Sequence, residues 1–173
     1  MGLTALLRWT LDLLQLRGTP ADAPPSPMLL AQLLILDLIS SVFYLQALGS
    51  ELAFDVLLGR MLLNVLMVYA VMRVFNRTPR FLQTLIAMYA VSALLTFILL
   101  PIASALVRSQ GDSPDLGLQF LQLGFLSLLI WSIVVNAHIL RHALSLKFWL
   151  ALPLSLGLFM LFNEIAAVMF PFE

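Results

Sequence analysis

The chain has 173 residues, of which 62% are hydrophobic and 10% charged, and its formal net charge is zero. A soluble domain carries about 25% charged residues, so this composition describes a membrane protein, and the zero net charge gives no electrostatic case for nucleic acid. The chain has no cysteine, which excludes disulfides, thiol catalysis and thiolate metal sites together.

Residues 1–17 form the first unit. Thr4, Arg8, Asp12 and Gln15 fall within about 80° of a helical projection, with leucines and Trp9 around the remainder, which predicts an amphipathic helix lying in the membrane interface. Ala21-Asp22-Ala23 has the small-x-small form of a signal cleavage site. Arg8 and Asp12 would break the apolar region such a signal needs, so an uncleaved helix is expected. Residues 18–27, GTPADAPPSP, form a proline-rich loop, because proline lacks the amide donor a helix interior requires.

Residues 28–173 read as one transmembrane domain of five helices. Met28 to Gly49 makes the first span: its 22 residues at 1.5 Å each cover about 33 Å, enough for a hydrocarbon core of about 30 Å. Asp37, Ser41 and Tyr44 share one face of it, and Glu51 and Asp55 follow in an acidic turn. The second span, about 52–74, carries Arg60 and, one turn later on the same face, Asn64. A basic turn holding Arg73, Arg77, Pro79 and Arg80 leads into the third span, about 81–107, where Ala87, Ala90, Ser92, Ala93 and Thr96 offer close helix contact and Pro101 predicts a kink. After the polar turn RSQGDSPD, the fourth span starts near Leu116, with Gly117, Gly124, Ser127 and Trp131 as an expected contact stripe running toward His138. Phe148 to Phe170 makes the fifth span and includes Asn163 and Glu164.

Seven basic residues (Arg8, Arg17, Arg73, Arg77, Arg80, Arg141, Lys147) fall on one side of this arrangement, and Arg108 alone on the other. The positive-inside rule then places the N-terminus in the cytoplasm and, after an odd number of spans, the C-terminus outside.

Two polar groupings stand out. Asp37 and Arg60 lie at similar depths inside the bilayer, where isolated charges cost several kcal/mol and face the bundle interior. The expectation is an intramembrane cluster of Asp37, Arg60 and Asn64, with Glu164 as a competing partner for Arg60. At the basic end of the fourth span, His138, Arg141 and His142 share a face, while Asn136 points away. Two histidines without a third ligand make a poor metal site, and the bland reading puts Arg141 and His142 in the headgroup layer with His138 hydrogen-bonded beneath. No metal and no cofactor are expected.

The five spans, the amphipathic N-terminus, the outer C-terminus and the segment WSIVVNAHILRHAL resemble, over residues 28–170, the Yip-domain family of small membrane proteins linked to vesicle traffic. RTPRFLQTLIA and NAHILRHAL are similar to small inner-membrane proteins of proteobacteria. The resemblance implies a multi-pass protein of a bacterial inner membrane. H-E-x-x-H, G-x-S-x-G and Gly-rich phosphate loops are all absent, so an enzyme is not expected. The expected role is a scaffold or assembly partner, in contact with lipid and with other membrane proteins or copies of itself; the alternative is a small transporter or channel subunit using Asp37, Arg60 and Glu164.

Overall fold

The structure, a computed structural model, describes residues 2–49, 54–109 and 116–170. It is all-helical, with no strand among the described residues. The six α-helices are α1 (Leu3–Leu14), α2 (Pro27–Ala47), α3 (Phe54–Val74), α4 (Phe81–Arg108), α5 (Leu116–Leu144) and α6 (Phe148–Met169). The five from α2 to α6 are long and apolar enough to cross a membrane. The acidic turn at Glu51, most of the polar turn before Leu116 and the final Pro171-Phe172-Glu173 lie outside the described residues.

Local chemistry sets the helix ends. Pro27 begins α2 at a position whose amide has no intrahelical partner, and Ser26 Oγ accepts the Leu29 amide at 3.3 Å. At the other ends, α1, α3 and α5 stop alike: Leu16, Asn76 and Ser145 adopt left-handed φ angles of 61°, 55° and 58°. The amide after each reaches back five residues, Arg17 to Asp12, Arg77 to Met72 and Leu146 to Arg141, at 2.8–2.9 Å. This termination satisfies carbonyls that would otherwise be orphaned. It usually takes glycine, so none of these stops carries its usual sequence mark.

The core lies toward the end of the bundle that holds these three terminations. Leu13, Met72, Leu85, Ile86, Val135, Ile139 and Leu140 are fully buried there. The helix–helix contact between α2 and α4 is the most extensive, with Ala87, Ala90 and Ala93 of α4 buried. Alanines let two backbones approach closely, as the small-residue pattern implied. α4 continues as helix through Pro101.

The stripe expected on α5 behaves differently. Ser127 is exposed, Trp131 is 40% exposed, and a side chain added at Gly124 would meet nothing within 4 Å. All the buried residues of α5 fall between Val135 and Leu144, so its small residues nearer the start face outward. The basic half of the helix packs against α4, α6 and, through His138, the N-terminal segment.

That segment packs against the bundle. Trp9, Leu13, Leu14 and Ala23 join the core, and three side-chain bonds fasten the segment to the bundle: Gln83 Nε2 donates to Ala21 O at 3.3 Å and to Ala23 O at 3.0 Å, and His138 Nε2 donates to Gly18 O at 2.8 Å; within the segment, Trp9 Nε1 donates to Thr19 O at 3.1 Å. The helix therefore has three faces. One packs inward through Trp9 and Leu13; one is polar, with Thr4, Arg8 and Gln15 exposed; the third exposes Leu3, Leu7 and Leu11, one turn apart.

Candidate functional site

A cavity of about 520 Å³ lies among α2, α3, α4, α5 and α6. Most of its polar lining comes from four helices: Asp37, Ser41 and Tyr44 on α2, Arg60 and Asn64 on α3, Tyr89 and Ser92 on α4, and Asn136 on α5. α6 adds Ser155 and an apolar wall of Leu158, Phe159 and Phe162. Helical periodicity accounts for the convergence, since Asp37, Ser41 and Tyr44 recur at intervals of four and three, as do Arg60 and Asn64 at four, which keeps each set on one face.

The walls are pinned by hydrogen bonds across helices. Tyr89, itself buried, donates its hydroxyl to the Met61 carbonyl of α3 at 3.2 Å. Ser155 Oγ donates to the Ile133 carbonyl of α5 at 2.9 Å. Asn136 Nδ2 bonds the Ser132 carbonyl of its own helix at 3.0 Å, leaving its amide oxygen for the cavity.

The two charged groups are held differently. Ser92 is the hydrogen-bond partner of the Asp37 carboxyl, yet Asp37 Oδ1 is buried and accepts no hydrogen bond. Unmet buried polar oxygens are rare in folded proteins and call for an explanation, whether a functional role or a bound water or ion. Arg60 Nη2 reaches the Phe170 carbonyl at the end of α6, 3.4 Å away. The neighbouring Gly59 makes room for this, because a Cβ there would clash with the edge of the Phe170 ring. What Asp37 and Arg60 share is the cavity.

The cluster read from sequence is thus brought together in three of its four members. Asp37, Arg60 and Asn64 line one space; Glu164 does not line it and is exposed. The reason is angular: Phe162 faces the cavity, and two residues along a helix is a turn of about 200°. Sequence reading singled out Asn136 without assigning it, and did not place Tyr89 and Ser92 in a site. The signal for Ser92 was masked by its place within a run of small residues read as packing.

The second grouping stays in contact but meets two different surroundings. His138 is 2% exposed and turned into the N-terminal segment, and because a carbonyl accepts its bond, its Nε2 carries the proton. Its ring meets that of His142 edge to face, with centroids 4.7 Å apart. Arg141 Nε donates to His142 Nε2 at 3.2 Å, which puts the His142 proton on Nδ1. Both histidines are engaged by the protein itself. His138 is hydrogen-bonded, as expected, but its partner is the N-terminal segment, which the sequence did not indicate, while Arg141 and His142 are half-buried around a separate pocket.

Family models, curated proteins and solved structures give no match to this chain. The cavity geometry therefore carries the functional argument.

Proposed function

We propose that this protein is a non-enzymatic, multi-pass component of a bacterial inner membrane whose cavity gives a small polar solute, proton or ion a place within the bilayer, as in a small transporter or channel subunit. The observation that carries the reading is Asp37 Oδ1, a buried carboxylate oxygen without a hydrogen bond, on a cavity whose largely apolar walls also carry hydroxyl, amide and guanidinium groups. Intramembrane ionisable groups of this kind mark solute and proton paths. Glu164, on the far side of α6, has no part in this version of the pathway. The N-terminus and the turns at Arg77 and Lys147 are cytoplasmic in this scheme, and α1 lies uncleaved in the interface with Leu3, Leu7 and Leu11 in lipid. A reporter in the turn at Asn76 is then active inside the cell.

The cysteine-free chain makes the direct test simple. A single cysteine at Ser92 should react with a membrane-impermeant thiol reagent, whereas one at the exposed apolar Leu62 should not. Vesicles holding the full chain, driven by a potassium diffusion potential, should acidify, and Asp37→Asn should abolish the flux. An unreactive Ser92→Cys together with flux unchanged by Asp37→Asn would remove the reading.

A scaffold role is the second reading. It is favoured by α3, which touches its neighbours at few points and exposes Leu58, Leu62, Leu66 and Tyr69. A stoichiometric membrane partner that co-purifies in mild detergent would move the assignment there.

A further inference from the structure

The turn between α5 and α6 holds a pocket unrelated to the cavity, and the charge and placement of its walls call for an anion. Arg141, His142, Ser145, Leu146, Lys147 and Phe148 line a space of about 480 Å³. No carboxylate is among them. The residues are arranged by the fold: Ser145 takes the left-handed φ of 58° that ends α5, and Leu146 N closes the turn on Arg141 O at 2.9 Å. Arg80, from the turn before α4, clamps the same loop. Its Nη1 donates to the His142 and Ala143 carbonyls at 2.9 and 3.3 Å and to Ser145 Oγ at 3.1 Å.

This clamp leaves the pocket's own donors available. Ser145 Oγ accepts from Arg80, so its proton is directed elsewhere. The Arg141 guanidinium lies 5.9 Å from the centre of the Phe148 ring, which fixes its plane while two of its nitrogens remain to bind. Lys147 is exposed at the lip. Asp22, whose charge reaches His142, lies outside the lining, its Oδ2 accepting from Thr19 N and Oγ1 at 2.8 and 2.9 Å.

The depth of the pocket points to its ligand. α5 has 29 residues, and at 1.5 Å each it measures about 43 Å, long enough to extend from the hydrocarbon into the headgroup layer. Immediately after the pocket, Trp149 is 82% exposed and Leu150 59% exposed, a pairing of interfacial aromatic and acyl-facing surface. We infer that the Arg141, Ser145 and Lys147 pocket binds a phosphate group of net negative charge, supplied by the headgroup of an anionic phospholipid or by free phosphate. Basic pockets between spans at the cytoplasmic surface are suited to such headgroups.

The test uses the full chain in a neutral detergent, titrated with phosphatidylglycerol, phosphatidylcholine or inorganic phosphate, and read by native mass spectrometry and thermal stability. Phosphatidylglycerol should bind and stabilise well beyond phosphatidylcholine, whose choline cancels the phosphate charge. At about fivefold per basic residue near the surface, Lys147→Gln should weaken binding about fivefold and Arg141→Gln/Lys147→Gln about 25-fold. Arg8→Gln, on the exposed polar face of α1, should leave it unchanged. Competition by millimolar inorganic phosphate would name free phosphate as the source, and its absence the lipid; either keeps the site. Equal response to the two lipids, unchanged affinity in Lys147→Gln, or an equal loss in Arg8→Gln would overturn the assignment. Lys147→Gln changes an exposed side chain, so the test survives if the Arg141 variant does not fold.

Discussion

Asp37→Asn separates a structural carboxylate from a functional one. If Asp37 were half of a buried ion pair, neutralising it would strand the partner and cost about 3–5 kcal/mol. The structure gives it Ser92 as a hydrogen-bond partner and one buried oxygen with none. A polar group left in that condition costs about 1–3 kcal/mol, and a charged one more, so the amide, which carries no charge to desolvate, recovers part of it. Asp37→Asn should therefore be neutral or stabilise the protein by up to about 2 kcal/mol. The assay is reversible unfolding in mixed detergent, followed by fluorescence of the three tryptophans. A double-mutant cycle with Ser92→Ala should show coupling of about 0.5–1.5 kcal/mol, the value of one hydrogen bond. A loss of 3 kcal/mol or more in Asp37→Asn alone would refute the reasoning and restore an ion-paired carboxylate. Stability gained while flux is lost is the signature of a group retained for function.

Arg80→Met should lower stability by about 1.5–3 kcal/mol, the worth of hydrogen bonds from a charged donor, because it uncaps the α5 carbonyls of His142 and Ala143; faster amide exchange at Leu144 and Leu146 would check it. Asn76→Ile should cost about 1–2 kcal/mol in the same unfolding assay, since a β-branched side chain resists the left-handed φ of 55°, while Asn76→Gly should be tolerated or mildly stabilising. Gly59→Val should displace Phe170 and with it the carbonyl that Arg60 contacts; increased protease cleavage near the start of α3 and the end of α6, at little cost to the Leu13 and Ile139 core, is the expected result.

The spans were legible because a bilayer imposes a simple rule on the chain. Each crossing must be a continuous apolar helix of about 20 residues, and breakers, charges and prolines must collect between crossings. The described helices accordingly follow the expected spans to within a few residues at their ends. Helical spacing also told which residues share a face, and so brought Asp37 together with Ser41 and Tyr44, and Arg60 with Asn64. Spacing carries no information on which way a face turns in a bundle. In lipid the outside is as apolar as the inside, so hydrophobicity cannot distinguish them.

That is why only the tertiary structure could decide the rest. The Gly124 to Trp131 stripe faces outward and Glu164 turns from the cavity, although both sit on spans correctly placed in the sequence. Ser92 and Tyr89 enter the site, and Asn136 gains a role, through contacts between helices distant in the chain. His138 illustrates both halves. Its position at the basic end of a span was set by the sequence alone, but its partner, the carbonyl of Gly18, lies 120 residues away, and only folding brings the two to hydrogen-bond distance.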